Sequence, residues 1–435
     1  MTDPSKPSDH YKQMSERWAL PLTLMGGSPA MHEAGSRFLP RHPAETEKVY
    51  QDRARRTVLR NYFRRAVKKT VGRVFSSPLK PSDDMPSPLL TILRNVDLAG
   101  RGLNSFAQSW FEDALVCGLS HVLIDFPVSD TSGSTGLFRP YAVHISAQQL
   151  IATQWEMTAE GHRLTQIRIQ EEVTECDGFE ERKVRQIRVM SPHNWQLYRL
   201  GARGEWLLAD EGTNSLGEIP LVTLYTNRVG FQQACPPFED LAYLNLEHYQ
   251  IRSDQRNALN VASFPILAAS GYDTEIDGRI EVGPNKVLTT SDTGGKYYYV
   301  ESTGAALEAG ARELSALEKA IHLFGLQFEA GEIRETATGR ALDAADAVTP
   351  LSHMVTNLED SLNKALHFMG RWIGTETVGA ISVQTDQLSP LKGHQGLDEL
   401  MALQEKGLID AETLLSELAR RGVLKESLAF NGTPD

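Results

Sequence analysis

The spacing of apolar and polar positions changes period several times along the chain, and each change marks an element. Between 45 and 75, Val49, Ala54, Val58, Tyr62, Ala66, Val67 and Val71 recur about every 3.6 residues, which predicts one long helix with arginines on its other face. A second helix is expected over 103–119. It runs into His121-Val-Leu-Ile-Asp-Phe-Pro127, a short apolar run ending at proline that reads as a buried strand. After a Ser/Thr/Gly loop at 129–136 the period falls to two. Segments 140–145, 164–171, 184–190, 195–200 and 205–208 predict an antiparallel sheet with one solvated face, closed by 219–225.

The helical period then returns. Pro236 and Pro237 open a helix over 238–263, with Glu239 and Asp240 suited to its positive N-terminus. A compact insertion follows at 264–302, with strands at 264–269, 286–290 and 297–300 and glycine turns at Gly271, Gly278, Gly283 and Gly294. A helix over 305–328 carries Leu307, Leu314, Leu317, Ile321, Phe324 and Phe328 at spacings of mostly three, four or seven. A glycine-containing break at 329–339 precedes a long helical pattern over 340–372. Its interior Pro350 removes a backbone hydrogen bond and predicts a kink. The chain returns through a short strand at 379–384 and ends in helices at 396–405 and 411–421, with Asp410 as N-cap and Gly407 and Gly422 as stops. The fold class is therefore α+β, and the polar ends 1–44 and 426–435 are expected to be flexible.

Length sharpens this picture, because 435 residues exceed what one hydrophobic core supports and imply two or more modules. Charge sharpens it further. The net charge is −12, yet 48–80 holds eleven Lys or Arg against the single acid Asp52, so that stretch carries about +10 and the remainder about −22. Arg53, Arg56, Arg60, Arg64, Arg65, Lys68 and Lys69 are candidates for contact with phosphate or an acidic partner, whereas a mostly acidic surface argues against a protein that coats DNA. Cys117, Cys176 and Cys235 are far apart and unpaired, which suits buried or inert thiols. No apolar run reaches the ~18 residues of a membrane span, and the start MTDPSKPSDH lacks the apolar stretch of a signal peptide, so the chain is expected to stay in the cytoplasm where it is made, without a membrane partner.

Searches for catalytic motifs return nothing: no phosphate-cradling GxxxxGK[ST], no GxGxxG after a strand, no HExxH and no GxSxG. His248, His322, His353 and His367 sit singly on helices, and the pair Asp343 and Asp346 reads as a solvated face. The chain is expected not to be an enzyme and to need no cofactor or metal.

The segment Cys235-Pro-Pro-Phe-Glu-Asp-Leu-Ala-Tyr-Leu-Asn-Leu-Glu-His-Tyr-Gln-Ile-Arg-Ser-Asp-Gln-Arg-Asn-Ala-Leu-Asn260, with Phe264-Pro-Ile-Leu267, resembles a portal-like family of tailed bacteriophages, catalogued as a domain of unknown function. Weaker similarities lie at 118–127, 139–141 and 217–222. The resemblance implies portal architecture: an α+β wing at 45–235, a first stem helix at 236–263, a small β-rich clip at 264–302, a second stem helix at 303–328, a tunnel loop at 329–339, a kinked helix and return to the wing at 340–389, and a helical crown at 390–425.

It implies a homo-oligomeric ring of twelve at one capsid vertex of the virion, a channel for packaging and ejecting double-stranded DNA without sequence preference. The implied partners are the packaging ATPase (the terminase large subunit), the major capsid and scaffold proteins, and a head-completion adaptor or tail protein. Glu332, Ile333, Arg334, Glu335, Thr336 and Arg340 would face DNA, and Leu314, Leu317, Ile321 and Phe324 would line the seam between subunits. The basic stretch could face shell, scaffold or DNA. The rival readings are an intracellular scaffold or assembly protein without a channel and, more distantly, a hydrolase whose active site is assembled from remote residues.

Overall fold

The computed structural model describes residues 3–126, 139–159, 161–201, 203–263, 266–271, 292–300, 304–327, 337–375 and 377–384, with residues 404, 410 and 414 besides. The N-terminal segment is the first correction. Where a flexible arm was expected, helix α1 (Asp9–Ala34) buries Met14, Trp18, Leu24 and Met31, and the Trp18 indole donates to Cys117 O at 2.8 Å. Pro21 and the Gly26-Gly27 pair hide this helix from a reading of propensity. The helix kinks at Gly27, whose φ of 75° suits only glycine.

The second correction concerns 45–75, which forms two helices, α2 (Glu47–Arg56) and α3 (Tyr62–Val74). Thr46 caps the first by accepting from Val49 N, and Thr57 ends it in extended backbone, its hydroxyl bonded to Arg53 O at 2.8 Å. Beyond it, Leu59 N donates to the Ser28 hydroxyl at 3.1 Å and Arg60 O accepts from the Asn245 amide at 2.9 Å. Both backbone groups are thus engaged outside a helical ladder, and the β-branched pair Thr57-Val58 resists a helix least costly to break.

The chain divides into two compact units. The first draws on Met1–Met25, Tyr62–Ala242 and Phe324–Asp435, the second on Gly26–Asn61 and Tyr243–Leu323. In the first unit, β1 (Lys80–Pro81) and α4 (Ser87–Leu93) lead to α5 (Leu103–Cys117), which buries Phe106, Trp110, Phe111 and Ala114. Strand β2 (Leu119–Asp125) is buried almost throughout. It lies between β3 (Tyr141–Ile145) and β9 (Leu221–Tyr225) in an antiparallel sheet where Val122 faces both His144 and Val222. Strands β4 (Leu150–Thr158), β5 (Gly161–Asp177), β6 (Glu180–Met190), β7 (Asn194–Leu200) and β8 (Trp206–Thr213) form a five-stranded meander. The sequence pattern missed β4, because only its first three residues are buried and no alternation survives beyond them. Leu123 and Ile145 of one sheet pack with Ile167, Ile169 and Met190 of the other in a shared core.

Gly118 makes the turn from α5 into β2. Its φ is +89°, its N–H closes the helix onto Ala114 O at 2.8 Å, and a Cβ there would lie 2.5 Å from Cys235 O. The small ladder of β10 (Arg228–Gly230) and β11 (Gln233–Ala234) carries the chain to that contact.

In the second unit, most of α6 (Glu239–Ala262) is followed by the antiparallel pair β12 (Ile266–Ser270) and β13 (Lys296–Val300) and by α7 (Ala305–Gln327). The chain then returns to the first unit through α8 (Ala337–Ile373), which continues through Pro350 and buries Leu351, Val355, Leu358, Leu362, Leu366 and Met369. Strand β14 (Ile381–Ser382) pairs with β1. The expected strand at 286–290, most of the loop at 329–339 and the tail lie outside the described residues, as does the crown apart from 404, 410 and 414. The last three loop positions, 337–339, are the start of α8.

Candidate functional site

Helices α6 and α7 pair antiparallel in the second unit. The Gln255 amide donates to Leu307 O at 2.7 Å, and His248 Nε2 lies 3.1 Å from Glu318 Oε1, so seven residues back along α6 correspond to eleven forward along α7. Between these helices in sequence stands the β12–β13 ladder, with Ile266 opposite Val300 and Ser270 opposite Lys296. Glu318 also accepts from Arg60 at 2.7 Å, which ties the segment after α2 to both helices. His248 is fully buried. Burial disfavours its imidazolium more than Glu318 favours it, and its pKa lies below the usual value.

The apolar stripe of α7 serves the chain's own core before any neighbour. Leu317 and Ile321 are buried within the single chain, while Leu314 and Phe324 are half-buried. Among the described residues of α6 and α7, the large apolar side chains left exposed are off that stripe: Tyr243 and Leu259 on α6, and Leu323 on α7, each about half or more exposed. A periodicity search selects the buried face by design, so it passes over these three.

The basic candidates separate into different roles. Arg53 is a correction: only 6% exposed, it donates to Glu45 through Nε at 2.9 Å, lies 3.3 Å from Asp254 and reaches Ser253 and Pro40 O, so it holds the fold rather than an external partner. The Arg53 guanidinium in turn holds the Glu45 carboxyl below the usual range. Arg60 pairs with Glu318, and Lys68 with Glu112 at 2.7 Å. On α3, Phe63, Val67, Thr70, Val71 and Val74 face inward, leaving Arg64, Arg65, Lys68 and Lys69 on the exposed face. Arg56 is also exposed. Of the residues expected to face DNA, Glu332, Ile333, Arg334, Glu335 and Thr336 lie outside the described residues, and Arg340 stands on α8. Of the three thiols expected to be buried or inert, Cys176 is exposed on β5, whereas Cys117 is buried and its thiol is pushed well up by desolvation.

One cluster brings together the residue types of a hydrolase. The Ser120 hydroxyl donates to Asp113 Oδ2 at 2.7 Å and lies 2.8 Å from His144 Nε2, which is itself 3.4 Å from the same carboxylate oxygen. A nucleophile relay needs one imidazole nitrogen toward the serine and the other toward the carboxylate. Here a single nitrogen faces both, and Ser120 is fully buried. The geometry pins α5 to β2 and β3. Among the described residues no group of three or more His, Cys, Asp or Glu is placed to hold a metal ion, and no helix is long and apolar enough to cross a membrane.

A cleft of about 990 Å³ in the first unit is lined by Arg163, Arg228, Lys364 and Arg371 with Glu218. Most of these cations are committed to its walls: Arg371 to Glu218 and Leu216 O, Arg163 to Gly217 O at 2.7 Å, and Arg228 to Gly230 O and the face of Tyr225.

Residues 237–373 match a domain of unknown function, DUF4055. No curated protein matches the chain. Similar solved structures include the virion of a native gene transfer agent (GTA) particle, at 13% identity over 83% of this chain and 89% of that chain with a TM-score of 0.43. Another is the neck of the native GTA particle computed with C12 symmetry, at 13% identity over 82% and 89% with a TM-score of 0.45.

Proposed function

We propose that this chain is the repeated subunit of a phage portal, a ring of about twelve copies at one capsid vertex through which double-stranded DNA is packaged and ejected. The observation that supports this most is the order of elements within and around the matched segment: helix α6, the β12–β13 ladder, antiparallel helix α7, then the long α8 with its interior proline. In a portal these would be stem, clip, stem and the helix behind the tunnel loop. The clip would dock the packaging ATPase and, after filling, a head-completion adaptor or tail protein. The chain would perform no catalytic step itself, a reading in keeping with the geometry of Asp113, Ser120 and His144.

Physical chemistry favours the same reading. A DNA channel must not grip its cargo, since each neutralised phosphate releases counterions and adds affinity. The net of about −22 outside 48–80 suits such a wall. The exposed Tyr243, Leu259 and Leu323 suit contacts with neighbouring copies, since heterologous interfaces close into rings.

Negative-stain images of the purified chain are expected to show closed rings; a lone monomer at every concentration would overturn the reading, and an open or irregular assembly would favour a scaffold. Leu323→Asp is expected to reduce rings at least about tenfold while leaving far-UV circular dichroism unchanged, because one charge at an apolar seam loses its hydration. Undiminished rings in that variant would remove Leu323 from the seam.

A further inference from the structure

Two helices of the second unit turn cationic faces toward one cavity. Arg56, in the last turn of α2, and Arg252 and Arg256, one turn apart on α6, line a space of about 250 Å³ together with the amides of Asn257 and Asn260. Among the described residues no carboxylate lines it. Its remaining polar wall is internally bonded: Ser253 and Thr57 hydroxyls lie 2.8 Å apart, Thr57 also bonds Arg53 O, and Ser253 accepts from Arg53. Arg53 has its charge met by Glu45 and Asp254, neither of which lines the cavity.

Arg256 on α6 and Arg56 on the facing helix bring like charges to one space, where they repel; Arg56 Nε donates to Asp52 O at 2.9 Å, and Arg252, one turn before Arg256, lines the same space and is itself engaged. An oxyanion between them would offset this repulsion. Guanidinium forks match tetrahedral oxyanions with paired N–H donors, and the two amides extend the donor set without adding charge. The volume admits one phosphate group with several waters, at about 30 Å³ per water.

We propose that this cavity is a binding site for a phosphate-class oxyanion, supplied either by free phosphate or by a phosphodiester of a nucleic-acid backbone. The site does not depend on the portal reading, and either can fail alone.

The test uses the full chain at constant ionic strength, titrated by calorimetry with inorganic phosphate and, separately, with a short DNA duplex followed by fluorescence anisotropy. Saturable binding is expected for at least one, weakened at least about tenfold by Arg256→Gln and by Arg56→Gln, because each removes a charge-assisted hydrogen-bond donor. The exposed Arg203→Gln, remote in sequence, serves as control, and circular dichroism verifies that the variants fold. Loss of both phosphate and duplex binding in the pocket variants assigns the phosphodiester; loss of phosphate binding alone assigns the free anion. Absence of binding to either probe, or equal binding by wild type and pocket variants, overturns the proposal.

Discussion

Gly118→Ala is expected to lower the stability of the first unit by roughly 2–4 kcal/mol, since the new methyl adds a left-handed backbone penalty to an overpacked contact. The glycine sits at φ +89°, and an added Cβ would meet Cys235 O at 2.5 Å and Cys235 C at 2.6 Å. Both neighbours are backbone, so no rotamer change relieves the contact. The shift would propagate, because Thr226 N donates to Gly118 O at 2.9 Å and the Thr226 hydroxyl bonds Ala114 O. Urea unfolding followed by tryptophan fluorescence would read the loss, and an unchanged midpoint would show that the 233–236 segment yields at little cost.

Acid is expected to destabilise the same unit through His121. This residue lies on β2, buried against β9, with Nδ1 2.9 Å from the Thr223 hydroxyl, and burial pushes its pKa down to about 3. In the unfolded chain the ring titrates near 6.5. Between those values the unfolded state binds a proton that the folded state refuses, so stability falls as pH drops from about 6.5 toward 3 and is unaffected by this group above that window. The full loss is on the order of 5 kcal/mol. His121→Asn keeps a polar partner for Thr223 and is expected to flatten the dependence between pH 4 and 6; an unchanged slope would assign the acid sensitivity to other groups.

Legibility in the sequence followed the kind of physics involved. Elements built on local periodicity were readable: α5, β2, β9, α6 and α7 all fall within a few residues of their expected positions. Elements decided by remote partners were not. The break between α2 and α3 depends on Ser28 and Asn245 binding backbone groups, and nothing near 57–61 announces either. The role of Arg53 was hidden for the same reason, because Asp254 lies some two hundred residues away in the chain. Charge counting along 48–80 saw cations but not Glu318 or Glu112, which neutralise two of them. The convergence of Arg56 with Arg252 and Arg256 was likewise invisible, since it needs α2 and α6 face to face.

The pairing of β1 with β14 has a consequence during synthesis. Lys80 and Pro81 wait for Ser382 and Ile381, some three hundred residues later, and at ~5–20 residues per second that delay is roughly 15–60 s. Until then Phe106, Trp110 and Val122 lack the Leu362, Leu366 and Met369 that share their core. The nascent polypeptide therefore leaves an oily groove uncovered for most of its translation, and its final closure comes after the last helix of that groove has left the ribosome.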